Sequence, residues 1–166
     1  MKFRWLLSLL ALPFAFSANP ALGGTAKKKA LSPQDKQIFS LIQKAGDAKK
    51  HKSSPVAIVF ERIHTKVEDN GLSRVKIHKV LKVLTEAGAV KLHTLRFDYD
   101  PASSDARVER VRIFRKSGSI HVVSLKNLRD LPQPQWMLYW GARTRLLGLP
   151  RLYVGDAVEM VFKRKG

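Results

Sequence analysis

"PVAIVFERIHTKVEDNGLSRVKIHKVLKV", residues 55–83, decides the fold of this chain. Ala57, Val59, Ile63, Thr65 and Val67 share odd parity, and Arg62, His64, Lys66 and Glu68 alternate with them. After "DNG" the odd positions Val75, Ile77, Leu81 and Val83 are apolar again, while Arg74, Lys76 and His78 take the other parity. Alternation with period two marks a half-buried strand. Two parity-matched runs about a glycine-containing turn predict a hairpin.

The same residues predict its register. A two-residue turn at Asn70-Gly71 would set Val67 against Arg74, apolar against basic. A three-residue loop, Asp69-Asn70-Gly71 with Gly71 left-handed, sets Glu68 against Leu72 and keeps parity consistent. Glu61 and Lys79 are the charged exceptions on the apolar parity, and this register makes them a cross-strand pair of opposite charge. It also sets Arg62 against His78, His64 against Lys76 and Lys66 against Arg74. These six residues form a candidate anion-binding face. Like charges directly opposite do not stabilise a sheet. A salt-screened, solvated face of a basic protein accounts for them too, and is the reading favoured by the sequence alone.

Further strands surround the hairpin. "AVKLHTLRFDY" changes parity near His93 and "RVERVRIF" near Glu109, and each change predicts a bulge. "KSGSIHVV" carries a Ser117-Gly118 turn and a hairpin return, and "LRDLPQPQW" reads as a proline-punctuated loop. Trp136, Tyr139 and Trp140 recur at helical spacing and read as a short packing turn rather than a sugar platform. "YVGD" starts a last element and "AVEMVF" alternates as a half-buried strand, with Val158, Met160 and Phe162 inward and Glu159 outward. Upstream, Ser32 is an N-cap, Pro33 the first helical residue and Asp35 acidic in the first turn, and Ile38, Leu41, Ile42 and Ala45 follow at helical spacing. The expected fold is mainly β: an antiparallel β-sandwich with a short N-terminal amphipathic helix.

The chain has 166 residues, 31 Lys and Arg against 13 Asp and Glu, and no cysteine. It has no disulfide, no thiolate metal site and no cysteine nucleophile. Lys2 and Arg4 precede the apolar run Trp5 to Phe16, with small residues after it, the pattern of an export signal. The run is shorter than the ~20 residues a membrane helix needs. We expect a signal peptide over 1–23, a basic tether and helix over 24–54, and the sandwich over 55–166. The protein is then exported, periplasmic or extracellular in a bacterium, with no transmembrane span after the signal is removed. Removal subtracts only Lys2 and Arg4, so the strong positive field remains. Such a field favours anionic lipid or acidic glycan, and export disfavours nucleic acid.

No nucleophile elbow, P-loop, metal-binding His-Glu motif or dinucleotide fingerprint is present. His64 and His78 stand diagonally in the predicted register, but Arg62, Lys66, Arg74 and Lys76 around them repel a cation. Asp98 and Asp100 in "FDYDP" read as a strand running into a turn rather than a catalytic carboxylate pair. We expect no catalytic residue, no metal and no cofactor.

"HKVLKVLTEAGAVKL", "FDYDP", "RKSGSI" and "LPRLYVGDAVEMVF" occur in this order between Pro55 and Phe162. The ordered set resembles the bacterial domain of unknown function that precedes transglutaminase-like domains in exported and envelope proteins. The resemblance implies a β-sandwich module ahead of a papain-like Cys-His-Asp domain, with no catalytic residue in the module itself. The sequence departs from that pattern in lacking the downstream domain and in its basicity. Three readings follow: a non-catalytic binding or scaffolding module of the envelope, an accessory domain of a separately encoded Cys-His-Asp enzyme, or a basic face for anionic lipid or glycan. The resemblance also implies that the sandwich is truncated at its C-terminus. The final strand would then leave an open sheet edge for a protein partner, with "KRKG" as a charged guard.

Overall fold

The computed structural model describes residues 31–133 and 141–166. The leader and Trp136, Tyr139 and Trp140 lie outside the described residues. Residues Leu31–Gly166 form one compact unit.

Helix α1, Pro33–Lys44, opens where the Ser32 side chain accepts the Asp35 N–H at 3.1 Å. Gly46, at φ +80°, follows its end. Eight strands follow: β1 (Val56–Val67), β2 (Ser73–Val83), β3 (Thr94–Tyr99), β4 (Asp105–Phe114), β5 (Ile120–Val122), β6 (Arg129–Pro132), β7 (Arg143–Gly148) and β8 (Ala157–Lys165). They make two antiparallel sheets, ordered β1-β2-β8-β4-β5 and β3-β7-β6. The sheets pack face to face. Val83, Val111, Ile113 and Val158 of the larger sheet share a core with Leu95, Phe97 and Leu147 of the smaller. Phe97 and Phe162 meet edge to face across the gap, their ring centres 5.1 Å apart.

The opposite face of the larger sheet receives α1. Ile38 and Ile42 bury against Val80, Phe114 and Ala157. The short helix thus packs on the sandwich through its apolar side.

The β1–β2 register runs Glu61↔Lys79, Arg62↔His78, His64↔Lys76 and Lys66↔Arg74. In the turn, the Glu68 N–H donates to Leu72 O at 2.8 Å, and Gly71 stands at φ +81°. Val59 is an extra residue on β1. Parity does not translate into burial along this hairpin, however. The apolar positions Ile63, Thr65 and Val67 are all exposed, because the three-stranded sheet covers only the other end of β1.

Four further expectations are corrected. The parity change near His93 is no bulge: a second helix, α2 (Glu86–Leu92), precedes it, and His93 is its C-cap. Thr85 caps α2 by accepting the Gly88 N–H at 3.2 Å. "LRDLP" is not a loop, since Arg129–Pro132 form an edge strand, where proline is tolerated. Strand β8 is not half-buried: its first five residues, Glu159 included, are all buried. Nor does β8 leave an open edge for a partner, because it pairs with β2 on one side and β4 on the other. The parity change near Glu109 does correspond to a bulge, between Val108 and Arg110.

Candidate anion-binding face

Strand order carries the hairpin's basic face onto two more strands. Side chains on one face recur every second residue, and register partners share a face. One row across the sheet reads His64, Lys76, Lys163, Arg107, and the next reads Lys66, Arg74, Lys165, Asp105. A third reads Arg62, His78, Val161, Arg110, and a fourth Phe60, Val80, Glu159, Arg112. The six residues singled out from sequence thus occupy two of the four strands. Arg107, Arg110, Arg112, Lys163 and Lys165 complete the face. Parity had marked Lys163 and Lys165 only as a tail, because sequence spacing does not say which strands are neighbours.

The lower rows enclose a concavity of about 500 Å³, lined among others by His64, Lys66, Arg74, Lys76, Arg107 and Lys163. Three acids stand beside these cations: Asp105, which lines the concavity and pairs with Arg145 at 3.0 Å, Glu109 and Glu68. The bulge places Glu109 on the same side as Arg110, where it meets Lys163 at 2.5 Å and Lys76 at 3.6 Å. The Lys163 hydrogen bond, ahead of the opposing burial, holds the Glu109 carboxyl below the usual range. Glu68 takes Arg74 at 2.5 Å. Lys66, Arg107 and Lys165 have no carboxylate at ion-pair distance among the described residues. Residues 1–30 and 134–140 contain no Asp or Glu that could supply one.

The upper rows differ. Glu159 is 0% exposed in the central strand. It accepts from Arg112, from Arg110 at 3.3 Å, and approaches His78 Nε2 at 2.8 Å. Burial pushes its carboxyl up, but the Arg112 hydrogen bond and charge, with Arg110 and His78, outweigh it and hold the group below the carboxylate range. Arg112 also reaches Asp35 of α1 at 2.8 Å. A smaller hollow of about 240 Å³ lies above this cluster, walled by Gln34 and Gln37 of α1 and by Phe60, Arg62 and Arg110.

Other candidate chemistry is spent on structure. Glu61 and Lys79 pair at 3.3 Å. Asp98 is exposed beside Arg96 at 3.7 Å, and Asp100 accepts the Ala102 N–H at 3.0 Å within its turn. The Asp156 carboxylate of "YVGD" is buried. It accepts from Arg115 at 2.6 Å and from the Lys116 and Tyr153 N–H groups, which ties the β4–β5 hairpin to the start of β8. Among the described residues no group of three or more His, Asp and Glu could hold a metal. No helix among them is long and apolar enough to cross a membrane.

A family model described as "Domain of Unknown Function with solved-structure structure (DUF3857)" matches residues 69–166, more than half of the chain. The chain belongs to the DUF3857 family. The DUF3857 match begins within the β1–β2 turn, so α1 and β1 lie outside it while β2 to β8 lie within it. A crystal structure from Parabacteroides distasonis, described as that of a "putative protease", is similar at 10% identity and a TM-score of 0.59. The similarity covers 67% of this chain and 23% of that one, so this chain spans less than a quarter of that protein's length. At such identity the likeness is one of fold. No curated protein matches the chain.

Proposed function

We propose that this DUF3857 chain is an exported, non-catalytic binding module of the bacterial envelope, whose basic sheet face holds an anionic lipid surface or acidic glycan. The observation that carries the reading is the row His64, Lys76, Lys163, Arg107, built from four strands, with unpaired Lys66 and Lys165 beside it. Structural ion pairs account for the other charged clusters. On the concave surface they take up Lys76, Lys163 and Arg74, but leave Lys66, Arg107 and Lys165 without an ion-pair partner among the described residues. The leader "MKFRWLLSLLALPFAF" supports export, and the carboxylates spent in ion pairs support a non-catalytic role.

Vesicles with and without anionic lipid, and an acidic polysaccharide, test this across a salt series. Binding should require negative charge and weaken steeply with salt. Each basic residue at an anionic surface contributes about 1 kcal/mol. Arg107→Glu with Lys165→Glu should therefore weaken binding more than about tenfold. Lys49→Glu with Lys91→Glu, away from the face, should have a much smaller effect. Equal losses from the two double variants would reduce the reading to non-specific charge.

A second reading is an accessory domain for a separately encoded Cys-His-Asp enzyme of the transglutaminase-like kind. Its support is the sequence resemblance and a fold shared with part of a protein described as a protease. It requires a stable complex with such an enzyme, which co-expression and size-exclusion chromatography would detect.

A further inference from the structure

Strand β1 is the edge of the five-stranded sheet and runs for 12 residues, the last 7 of them exposed. A long edge presents unpaired backbone donors and acceptors. Which ones follows from the neighbouring strand. Ser73 of β2 spends both backbone groups on Gly166, the residue just after β8: its N–H donates to Gly166 O, and its carbonyl accepts the Gly166 N–H at 3.0 Å. Ser73 therefore faces away from β1. Its register partner Val67 is then a non-hydrogen-bonded site of the β1–β2 ladder, with N–H and C=O directed at the free edge. Direction alternates along a strand, so Thr65 and Ile63 present theirs in the same way. Among the described residues none of these groups has a partner beyond the ladder.

The side chains along that edge divide by face. Ile63 and Val67 are 62% and 66% exposed on one side. Arg62, His64 and Lys66 lie exposed on the other. We propose that β1 accepts an added strand from a protein partner whose sequence alternates acidic and apolar residues. Its acids would lie beside Arg62, His64 and Lys66, and its apolar side chains would cover Ile63 and Val67, with backbone hydrogen bonds supplying affinity. A second copy of this chain fits poorly. Two β1 strands paired about a two-fold axis would set the basic residues of one against those of the other, and like charges so placed are destabilising. Charge complementarity selects the acidic partner. The site shares His64 and Lys66 with the concavity, but its backbone edge and its apolar side, Ile63 and Val67, lie outside that lining and do not depend on the anionic-surface reading.

The probes are a ten-residue alternating Glu-Val peptide and its Lys-Val counterpart, read by amide hydrogen exchange on the purified protein. The Glu-Val peptide should slow exchange at Ile63, Thr65 and Val67, and the Lys-Val peptide should not. Thr65→Pro removes an edge N–H without removing a β1–β2 bond, and should weaken the Glu-Val peptide about tenfold, the loss of one backbone hydrogen bond. Ile63→Lys with Val67→Lys keeps the backbone intact and should weaken the peptide through its apolar side. Arg107→Glu with Lys165→Glu should weaken vesicle binding more than about tenfold, while the Glu-Val peptide should still slow exchange at Ile63, Thr65 and Val67. Three results would overturn the proposal: equal protection by both peptides, edge amides already protected in the free protein at every dilution, or protection that rises with protein concentration alone. The last would mean self-pairing.

Discussion

Arg112 holds both carboxylate oxygens of Glu159, its Nη2 donating to Oε1 at 3.1 Å and its Nε to Oε2. The pair links β4 to the central strand, and Asp35 extends it to α1. Removing one member of a buried pair leaves the other charge poorly compensated, at about 3 kcal/mol. Glu159→Gln keeps the shape and removes the charge. It should lower unfolding free energy by about that amount in a denaturant titration without changing far-ultraviolet circular dichroism.

Acid should act through the same carboxylate. Its folded pKa lies below the ordinary value of 4.5, so the unfolded chain takes up the proton first as pH falls. The stabilisation is complete above about pH 4.5 and is lost as pH drops through the depressed folded value. Asp35, Glu109 and Asp130 shift in the same direction. Melting temperature should therefore hold steady from pH 7 to 5 and fall below. The gap between wild type and Glu159→Gln should close over the acid range.

Two glycines should respond to alanine for different reasons. Gly71 sits at φ +81° with open space around it, so alanine costs only the left-handed backbone, about 1 kcal/mol. A Cβ on Gly88 would lie 1.9 Å from the Pro55 carbonyl oxygen, which forces α2 away from the start of β1. Gly88→Ala should cost more, about 2–3 kcal/mol, with faster exchange across Glu86–Leu92.

Lys82 secures the end of α1. Its Nζ donates to Ile42 O at 2.9 Å and Gly46 O at 2.8 Å. Burial holds the amine below the usual lysine range, with Asp47 opposing that shift. Lys82→Met keeps the aliphatic stem and removes both hydrogen bonds. It should destabilise by about 1–2 kcal/mol and speed amide exchange in α1 first.

The hairpin was legible in the sequence because its information is local. Parity, the glycine turn and the Glu61–Lys79 exception all lie within 28 residues and agree. The Ser32-Pro33 start of α1 was legible for the same reason. Helix α2 was missed although Thr85 followed by "EAGAVKL" is a capped helical segment. A short helix between strands breaks parity as a bulge does, and parity alone does not separate them. The full basic face was not legible. Alternation says which face Lys163 belongs to and never which strand lies beside it. The burial of Glu159 follows from the same gap, because a charge in an alternating strand looks solvent-facing until strands close on both sides.

Strand β8 lies between two hairpins, β1–β2 and β4–β5, in the larger sheet, and it follows both in the sequence. Its pairings with β2 join residues about 80 positions apart, such as His78 and Val161. In a chain that emerges from its N-terminus, both hairpins therefore precede the strand that joins them, and each waits with one long edge uncovered. Nucleation of the larger sheet is then a late, high-contact-order event. A chain of this design would complete its fold only once β8 has emerged behind both hairpins, and until then would need protection from its own neighbours.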